Sequence, residues 1–253
     1  MTLTPRQEYI VEQLNKKGRV SLNELNQELN VSSMTIRRDI LFLEENNMAQ
    51  RVHGGAILPK RINSEFLFTQ KEELMKDVKK TIAAKAASLL NEGDTVFINS
   101  GTTTLQVARA LKDKKLHIVT NNPFVVAVDI DVNVELIMLG GIIRKESFSV
   151  VGEPAMETLL NITASKAIIG IDGICPERGL SSSNSLEASL NNRMITQTFG
   201  DVIVVADNSK IGRVSPFKAG EIEDISVLIT SDDIHSDMKK QFEEKGVRVI
   251  TVP

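Results

Sequence analysis

Two neighbouring arginines lie on the polar side of a short helix that the sequence predicts near the amino end. Arg37 and Arg38 follow Ser33 and Thr35 in this stretch. A guanidinium group donates two hydrogen bonds to a guanine edge or bridges phosphate oxygens, and hydroxyl groups at a helix start reach phosphates or bases. We therefore predict that these four side chains contact double-stranded DNA. The ordinary alternative for an arginine pair is a solvated surface helix.

The elements that position these side chains have clear start signals. Thr4 and Ser21 each begin a capping box, and Ser32 precedes the helix that carries the arginines. Two short helices joined by a tight connection, the second presenting hydroxyls and arginines, are typical of a helix-turn-helix. The sequence therefore predicts a DNA-binding domain at the amino end.

A β-hairpin is predicted directly after this helix, because residues 48–58 alternate around a glycine pair. Such a hairpin forms the wing of a winged helix-turn-helix. It adds Arg51 and His53 to the predicted DNA-binding face. Asp39, by contrast, is assigned to structure, where it holds Arg38 or a neighbouring backbone group.

The remaining sequence predicts an α/β domain. Short runs rich in Val, Ile and Leu alternate with helical patterns and predict strands at residues 95–99, 116–121, 134–139, 166–172, 201–207, 227–230 and 247–252. Strands of this kind are buried on both faces, which indicates a mainly parallel sheet with helices on both faces. Because the pattern loses its period between the two regions, we predict a winged helix-turn-helix domain at residues 1–58, a linker at 59–75 and an effector domain at 76–253.

A polar turn after the first of these strands has the composition of an anion-binding site. Its residues, which open a helix, are Ser100, Gly101, Thr102, Thr103 and Thr104. Backbone N–H groups at a helix start favour an anion, and glycine permits a close approach. A phosphate cradle is one interpretation, and an ordinary strand-to-helix turn capped by Ser and Thr is the other. The loop alone leaves both open.

Other polar residues and glycines follow neighbouring strands, and ligands of parallel sheets bind at the carboxyl ends of strands. The further candidates for effector binding are Asn121, Gly140, Gly141, Asp172, Glu187 and Lys210. Glu187 lies near the start of a helix predicted at residues 185–199. Individually, each candidate is typical of turn chemistry or capping. Together they place amides, carboxylates and a cation around one sheet edge, which predicts a phosphorylated sugar as the ligand.

Composition and missing motifs exclude several classes of function. The 253 residues are 42% hydrophobic and 25% charged with a net charge of −3, as in an ordinary globular protein. No apolar stretch approaches the roughly 20 residues that span a bilayer, and the first residues lack the apolar core of a secretory signal, so we expect a cytoplasmic protein without membrane contact. One cysteine and three scattered histidines predict no disulfide and no metal site. Because neither a P-loop nor a dinucleotide fingerprint is present, we expect no cofactor.

The sequence resembles the DeoR family of bacterial transcriptional regulators. The family signature Val-Ser-x-x-Thr-Ile-Arg-Arg-Asp occurs at residues 31–39, and His-Gly-Gly-Ala occurs at residues 53–56. The family motifs Ser-Gly-Thr-Thr-Thr, Thr-Asn, Gly-Gly, Gly-x-Asp-Gly, Glu-Ala and Asp-Ser-Ser-Lys are similar to residues 100–104, 120–121, 140–141, 170–173, 187–188 and 207–210. The resemblance thus covers nearly the whole chain.

This resemblance implies a sequence-specific DNA-binding regulator, most often a repressor of a carbohydrate-utilisation operon. It also implies an effector domain related in fold to ribose-5-phosphate isomerase, which binds a phosphorylated sugar that releases the regulator from its operator. Residues 187–194 are most similar to members that control amino-sugar and related hexose genes. Reading two half-sites needs at least a dimer, so we expect a homo-oligomer, either a dimer or a tetramer.

Three asparagines depart from the family pattern. Asn99 stands where many members have Asp, and Asn191 and Asn192 stand where many members have a Lys-Arg pair. The first change removes a carboxylate and the second removes two cations. The identity of the ligand therefore does not carry over from the family.

The alternative function is an isomerase-like activity of the larger domain on a sugar phosphate. Asp172, Glu187 and Lys210 would supply the acid and base that move a proton between adjacent carbons. However, the isomerase pattern Asp-Gly-Ala-Asp-Glu is replaced by residues 169–173, in which Asp172 is the one remaining carboxylate. We therefore expect binding of a sugar phosphate rather than its turnover.

Overall fold

The computed structural model describes residues 3–46, 48–52, 54–57, 68–111, 114–129 and 134–253. The chain divides into two compact units, Met1–Leu74 and Met75–Pro253. Each unit has hydrophobic core residues of its own. No helix within the described ranges is long and apolar enough to cross a membrane.

The first unit combines short helices with a small antiparallel sheet. Its elements are α1 (Pro5–Lys17), β1 (Arg19–Ser21), α2 (Leu22–Leu29), α3 (Ser33–Glu45), β2 (Gln50–Val52), β3 (Gly55–Ile57) and α4 (Phe68–Glu73). The three predicted helices and the predicted hairpin are confirmed. The sequence did not predict β1, which pairs with β3 and widens the hairpin to three strands. Three residues are too few for an alternating pattern to be visible.

The segment predicted as a linker is only partly described, since residues 59–67 lie outside the described ranges. Its remainder contains α4, whose first residue, Phe68, is buried. Leu74 packs against the core of the first unit. A helix of six residues makes fewer than two turns, so its hydrophobic period was not detectable in the sequence.

The core of the first unit fixes which side of α3 faces outward. Ile36, Ile40 and Leu43 on α3 are buried together with Ile10 and Leu14 on α1. These positions follow the period of an α-helix and leave the opposite side of α3 in solvent. The hydrophobic pattern therefore positions the arginines as the sequence predicted.

Asp39 is a buried structural residue with partners other than the one predicted. Its carboxylate forms an ion pair with the Arg6 guanidinium, which also donates from Nη2 at 3.2 Å, and it accepts a hydrogen bond from Gln7 Nε2 at 3.2 Å. The expected contact with Arg38 is therefore wrong. Asp39 joins α3 to the start of α1, and the two helices are too far apart in sequence for this pairing to be inferred from local pattern.

The second unit alternates strands and helices over most of its length. Its elements are α5 (Lys76–Ser88), β4 (Thr95–Ile98), α6 (Thr102–Arg109), β5 (His117–Thr120), β6 (Glu135–Met138), β7 (Ile142–Arg144), β8 (Ser149–Val151), α7 (Glu153–Leu160), β9 (Ala164–Gly170), β10 (Gly173–Cys175), β11 (Gly179–Ser182), α8 (Ser185–Thr196), β12 (Thr198–Val205), β13 (Phe217–Gly220), β14 (Val227–Ser231), α9 (Ser236–Glu244) and β15 (Arg248–Val252).

The seven predicted strands form one parallel sheet in the order β15-β14-β12-β9-β4-β5-β6. Consecutive residues of β4 belong to different cores. Phe97 belongs to the core that includes residues of α7, α8 and α9, and Ile98 belongs to the core that includes residues of α5 and α6. Helices therefore cover both faces of the sheet, which confirms the predicted architecture.

Two details of this unit differ from the prediction. The helix predicted at residues 185–199 ends at Thr196, and β12 begins at Thr198. The first residues of β12 pair with β9 across a register shift between Thr198 and Asp201, so this irregular start has no clear sequence pattern. The short antiparallel strands β7, β8, β10, β11 and β13 were not predicted either, because none of them contains more than two consecutive apolar residues.

A charged pair ties the start of β4 to β9 and gives a testable dependence of stability on pH. Lys166 Nζ donates to Asp94 Oδ2 at 2.7 Å, and Ser165 Oγ donates to Asp94 Oδ1 at 2.9 Å. Burial alone would raise the pKa of Asp94, but the hydrogen bonds from Lys166, the Asn91 N–H and Ser165 outweigh burial and lower it. The ionised form of Asp94 is therefore favoured by folding.

We expect Asp94→Asn to lower the free energy of unfolding by about 2 kcal/mol at pH 7, because it leaves the buried Lys166 without its anion. A lowered folded-state pKa contributes stability above the unfolded pKa of about 3.9, and this contribution is lost as the pH falls through the folded pKa. The difference between the variant and the natural chain should therefore shrink below about pH 4. Urea unfolding at several pH values measures it. Asp77→Asn is the control, since Asp77 pairs with Lys80 on the surface and should leave stability unchanged.

Candidate functional site

The exposed side of α3 carries the arginines that were predicted to contact DNA. Arg37 and Arg38 are both exposed, and neither forms an ion pair with any residue that the structure describes. Met34 on the same helix is also exposed. Two exposed cations that have no anionic partner among the described residues, beside an exposed apolar side chain, are suited to phosphate oxygens and base edges.

The hydroxyl groups at the start of α3 are held by hydrogen bonds. Ser32 Oγ accepts from the Thr35 N–H at 3.2 Å and lies 2.9 Å from Thr35 Oγ1. Ser33 Oγ accepts from Asn26 Nδ2 on α2 at 2.6 Å. These contacts fix the connection between α2 and α3. Ser33 remains exposed and Thr35 half-buried, so both hydroxyls are positioned by the turn and still lie near its surface.

The wing residue Arg51 is paired with a carboxylate of α3. Arg51 forms an ion pair with Glu44 on α3, and the Arg51 N–H also donates to Glu44 Oε1 at 2.9 Å. The backbone hydrogen bond from Arg51 is the main reason why the pKa of Glu44 is lowered. Arg51 therefore anchors the wing to α3, with its charge balanced. His53 lies outside the described residues.

The carboxyl edge of the parallel sheet brings together several of the predicted effector-binding residues. Ser100 and Gly101 follow β4, Asn121 follows the neighbouring β5, and Lys210 lies in a turn after β12. Since β12 is two strands away from β4 across β9, their ends are separated by about 10 Å. This is the length of a small phosphorylated sugar.

Asn121 is a positioning residue rather than an exposed contact. Its Oδ1 accepts from the Ser100 N–H at 2.7 Å, and its Nδ2 donates to the Val150 carbonyl oxygen at 3.0 Å. The side chain is almost completely buried. Asn121 therefore holds the Ser100 turn against β8, and Ser100, which is half-buried, is the more accessible of the two.

The threonines of the turn have different environments. Thr104 is fully buried, and its hydroxyl donates to the carbonyl oxygens of Asn99 at 2.7 Å and Gly101 at 3.1 Å. The Thr104 side chain is therefore part of the interior, and its hydroxyl holds the turn together. Thr102 and Thr103 are buried in large part, but they form the first turn of α6.

The backbone of Gly101 is extended, a conformation that any residue could adopt, so an added side chain there would be opposed by crowding rather than by backbone strain. An ideal Cβ atom at this position would lie 3.0 Å from Thr104 Oγ1. As the residue before α6, Gly101 has no side chain that could cap the N–H groups of the first turn. These groups are therefore left for another acceptor, which is the property of an anion site.

Glu187 is tied into a polar cluster with β7 and β8. Its Oε1 accepts from Arg144 Nη1 at 2.8 Å and from Ser149 Oγ at 2.5 Å. Arg144 and Ser149 were not predicted from the sequence. The available signal was Arg144 itself, a cation in a short run that begins with two isoleucines. Since its charge is balanced by Arg144, Glu187 is a poor candidate for a free general base.

Asp172 and the glycine pair have backbone roles. Asp172 Oδ2 accepts from the Ser183 N–H at 2.9 Å and so holds the segment before α8. Gly141 has φ +143°, and an ideal Cβ there would lie 2.4 Å from the Val151 carbonyl oxygen, which requires glycine. Gly140 is exposed and has no such neighbour. These residues shape the loops around the edge of the sheet.

A buried carboxylate lies next to the predicted cation Lys210. Asp207 is only 3% exposed, and burial alone would raise its pKa, but the charges of Lys210 and Lys79 and the hydrogen bonds from Ser209 outweigh burial and lower it. Lys79 is also buried, on α5. Lys79 was not predicted from the sequence, because a lysine in a helical pattern is normally a surface residue. The end of β12 thus holds two cations around one anion.

Comparison with known proteins places both units in known families. Residues 6–62 match a family described as the DeoR-like helix-turn-helix domain, and residues 75–232 match one described as the DeoR C terminal sensor domain. The chain is 32% identical over 246 residues to the HTH-type transcriptional regulator GlpR of Haloferax volcanii, covering 97% of this chain and 96% of that protein. It is 30% identical over 255 residues to the lactose phosphotransferase system repressor of Staphylococcus epidermidis, covering 97% and 98%.

Among solved structures, ribose 5-phosphate isomerase A from Methanocaldococcus jannaschii is similar over 54% of each chain. The TM-score is 0.40 and the sequence identity is 14%.

Proposed function

Because the chain belongs to the DeoR family of DNA-binding transcriptional regulators, we propose that it represses a carbohydrate-utilisation operon under the control of a phosphorylated sugar. The sugar phosphate binds at the carboxyl edge of the parallel sheet in the second unit. Operator DNA binds to the α3 surface of the first unit. In prokaryotes such a protein works in the cytoplasm, where the DNA is.

The start of α6 carries the ligand part of this proposal. Gly101 leaves the first N–H groups of an eight-residue helix without a side-chain cap at the residue before it, and the half-buried Ser100 lies beside them. Helix N-termini of this kind bind phosphate groups. Lys210 supplies a cation two strands away, within the reach of the same ligand.

A sugar is favoured over other phosphate esters for two reasons. The turn around Ser100 offers hydroxyls and amides, which pair with the hydroxyls of a sugar, and no aromatic side chain that would stack on a base is among the predicted site residues. In addition, one relative is named as a repressor of the lactose phosphotransferase system. A relative's name supports the ligand class but does not identify the sugar.

Control of operator binding by this ligand needs an assembly of more than one chain. Two reading helices bind two half-sites only at a fixed spacing, so a homo-oligomer is required, either a dimer or a tetramer. If the ligand favours an arrangement of subunits that does not fit the operator, ligand and DNA weaken each other's binding by the same factor. This reciprocal coupling is the proposed mechanism of release.

An isomerase-like activity is not supported. The relatives are named as a regulator and a repressor. Glu187, the candidate base, is already paired with Arg144 and Ser149. Only one carboxylate of the isomerase pattern remains, at Asp172. We therefore assign the second unit to sensing.

A thermal-shift screen of the purified chain against sugar phosphates and free sugars tests the ligand proposal. A ligand present at 100 times its Kd stabilises the folded protein by about 2.7 kcal/mol, which raises Tm by roughly 5–10 °C for a chain of this size. We expect this shift with at least one sugar phosphate and a much smaller shift with the corresponding free sugar. A screen in which no sugar phosphate raises Tm would contradict the proposal.

A further inference from the structure

The side chain of Asn99 connects two neighbouring strands at the carboxyl edge of the sheet. Its Nδ2 donates to the Gly170 carbonyl oxygen at 2.8 Å, and its Oδ1 accepts from the Gly170 N–H at 2.8 Å. Asn99 is 1% exposed. The amide therefore forms a two-point contact that joins the end of β4 to the end of β9.

The same side chain also reaches α8. Asn99 Nδ2 donates to Asn191 Oδ1 at 2.8 Å, and Asn191 Nδ2 donates to Ser182 Oγ at 3.3 Å. Asn191 is 5% exposed. A continuous line of hydrogen bonds thus runs from β9 through Asn99 and Asn191 to the end of β11.

Asn99, in the middle of this line, adjoins the turn that is proposed to bind the ligand. Asn99 precedes Ser100, and its carbonyl oxygen accepts from Thr104 Oγ1 at 2.7 Å. The position of Asn99 therefore sets the position of Ser100 and of the first turn of α6. A small displacement of a binding group has a large effect on affinity, so the support of the turn matters as much as the turn itself.

Only an amide satisfies all of these contacts. Gly170 presents a donor and an acceptor, so the residue at 99 must accept with one atom and donate with the other. An aspartate would place its second carboxylate oxygen against the fixed carbonyl oxygen of Gly170 in a buried environment, and also against Asn191 Oδ1 unless the Asn191 amide turned over. Burying such unpaired acceptors is costly.

We propose that Asn99 and Asn191 form a neutral amide clamp that positions the Ser100 turn for the ligand. Both are positioning residues, and neither one was predicted to bind the ligand. The clamp also keeps this side of the site uncharged, so that the anion is recognised by the N–H groups of α6 and by Lys210. This inference rests on the proposed function of the second unit.

Asn99→Asp in the full chain tests the clamp. The probes are ribose 5-phosphate, glucose 6-phosphate, galactosamine 6-phosphate and inorganic phosphate, and Kd is measured by calorimetry well below the Tm of each protein. We expect Asn99→Asp to weaken binding of the best probe at least roughly tenfold, within the range of coupling between contacting residues. Asn192→Ala is the control, because Asn192 is the exposed neighbour of Asn191 and should bind like the natural chain.

A second substitution separates positioning from a general loss of stability. Asn191→Lys on its own should weaken binding, but combined with Asn99→Asp it supplies a donor to the new carboxylate and to the Gly170 oxygen. We expect the double variant to recover most of the affinity lost by Asn99→Asp. If Asn99→Asp does not fold, Asn191→Leu takes its place, since it removes both hydrogen bonds of the Asn191 side chain, to Asn99 and to Ser182, and we expect it to weaken binding about fivefold.

The outcomes separate this inference from the proposed function. If the natural chain binds none of the probes, the proposed function fails and the clamp fails with it. If the natural chain binds a sugar phosphate but Asn99→Asp or, where needed, Asn191→Leu binds it equally well, only the clamp is wrong. A double variant no better than Asn99→Asp would also overturn it.

Discussion

Replacing Arg37 and Arg38 by alanine should abolish tight operator binding and leave the fold intact. Both side chains are exposed and lack an ion-pair partner among the described residues, so their removal leaves no buried charge behind. A good arginine contact to a base edge contributes about 1–3 kcal/mol, which corresponds to roughly 5- to 150-fold in Kd for each arginine. The double variant should lose more than either single variant.

Fluorescence anisotropy with a duplex selected by the natural chain from a random library measures this effect. Replacing an arginine that contacts only phosphate should weaken binding to all duplexes and reduce the slope of log Kd against log salt concentration by about one. Replacing an arginine that reads a base should relax specificity at one base position. Lys17→Ala is the control, since it removes one positive charge that is paired with Glu28 instead. Unchanged operator affinity of the double variant would remove the DNA-binding assignment of α3.

Gly101→Val should eliminate the response to the sugar phosphate and spare DNA binding. The new Cβ would lie 3.0 Å from Thr104 Oγ1, whose hydroxyl holds the turn through the oxygens of Asn99 and Gly101. Overpacking of this kind costs about 1–3 kcal/mol and displaces the first turn of α6. The N–H groups would then no longer converge on an anion.

The variant is compared with the natural chain by thermal shift and by operator titration. Gly101→Ala, which adds a single carbon, should show a smaller loss of ligand affinity than Gly101→Val. Operator affinity in the absence of ligand should be the same for all three proteins. A Gly101→Val protein that is still released from the duplex by the sugar phosphate would show that α6 does not bind the ligand.

The sequence was informative where local pattern decides structure. The capping boxes at Thr4 and Ser21 and the hydrophobic period of α3 are local features, and they predicted the helices of the first unit well. The seven strands of the parallel sheet were recognised because they are short runs rich in Val, Ile and Leu, several of them nearly continuous, as is typical of strands buried on both faces. The short antiparallel strands β1, β7, β8, β10, β11 and β13 were missed, since none of them contains more than two consecutive apolar residues of the kind that marked the strands of the parallel sheet.

Contacts between distant residues were beyond the reach of the sequence. Thr104 belongs to a polar motif, but its burial follows from the packing of α6 against the sheet. Glu187 was recognised, but its partner Arg144 lies 43 residues away on β7. Arg51 was assigned to DNA because it is a cation in the wing, and only the fold brings it to Glu44.

The asparagines illustrate the same limit. Asn99 and Asn191 were noted as separate departures from the family pattern, one that removes a carboxylate and one that removes a cation. They are 92 residues apart in sequence, and the structure places them in one hydrogen bond of 2.8 Å. Two changes that looked independent are therefore a single contact, and together they leave the local charge balanced.

The coupling between ligand and DNA is tested most directly by two titrations at one fixed salt concentration. The operator duplex is titrated with and without saturating sugar phosphate, and the sugar phosphate is titrated with and without saturating duplex. We predict that the sugar phosphate and the duplex each raise the Kd of the other by the same factor, roughly 5- to 150-fold. If saturating sugar phosphate leaves the duplex Kd unchanged, the account is contradicted.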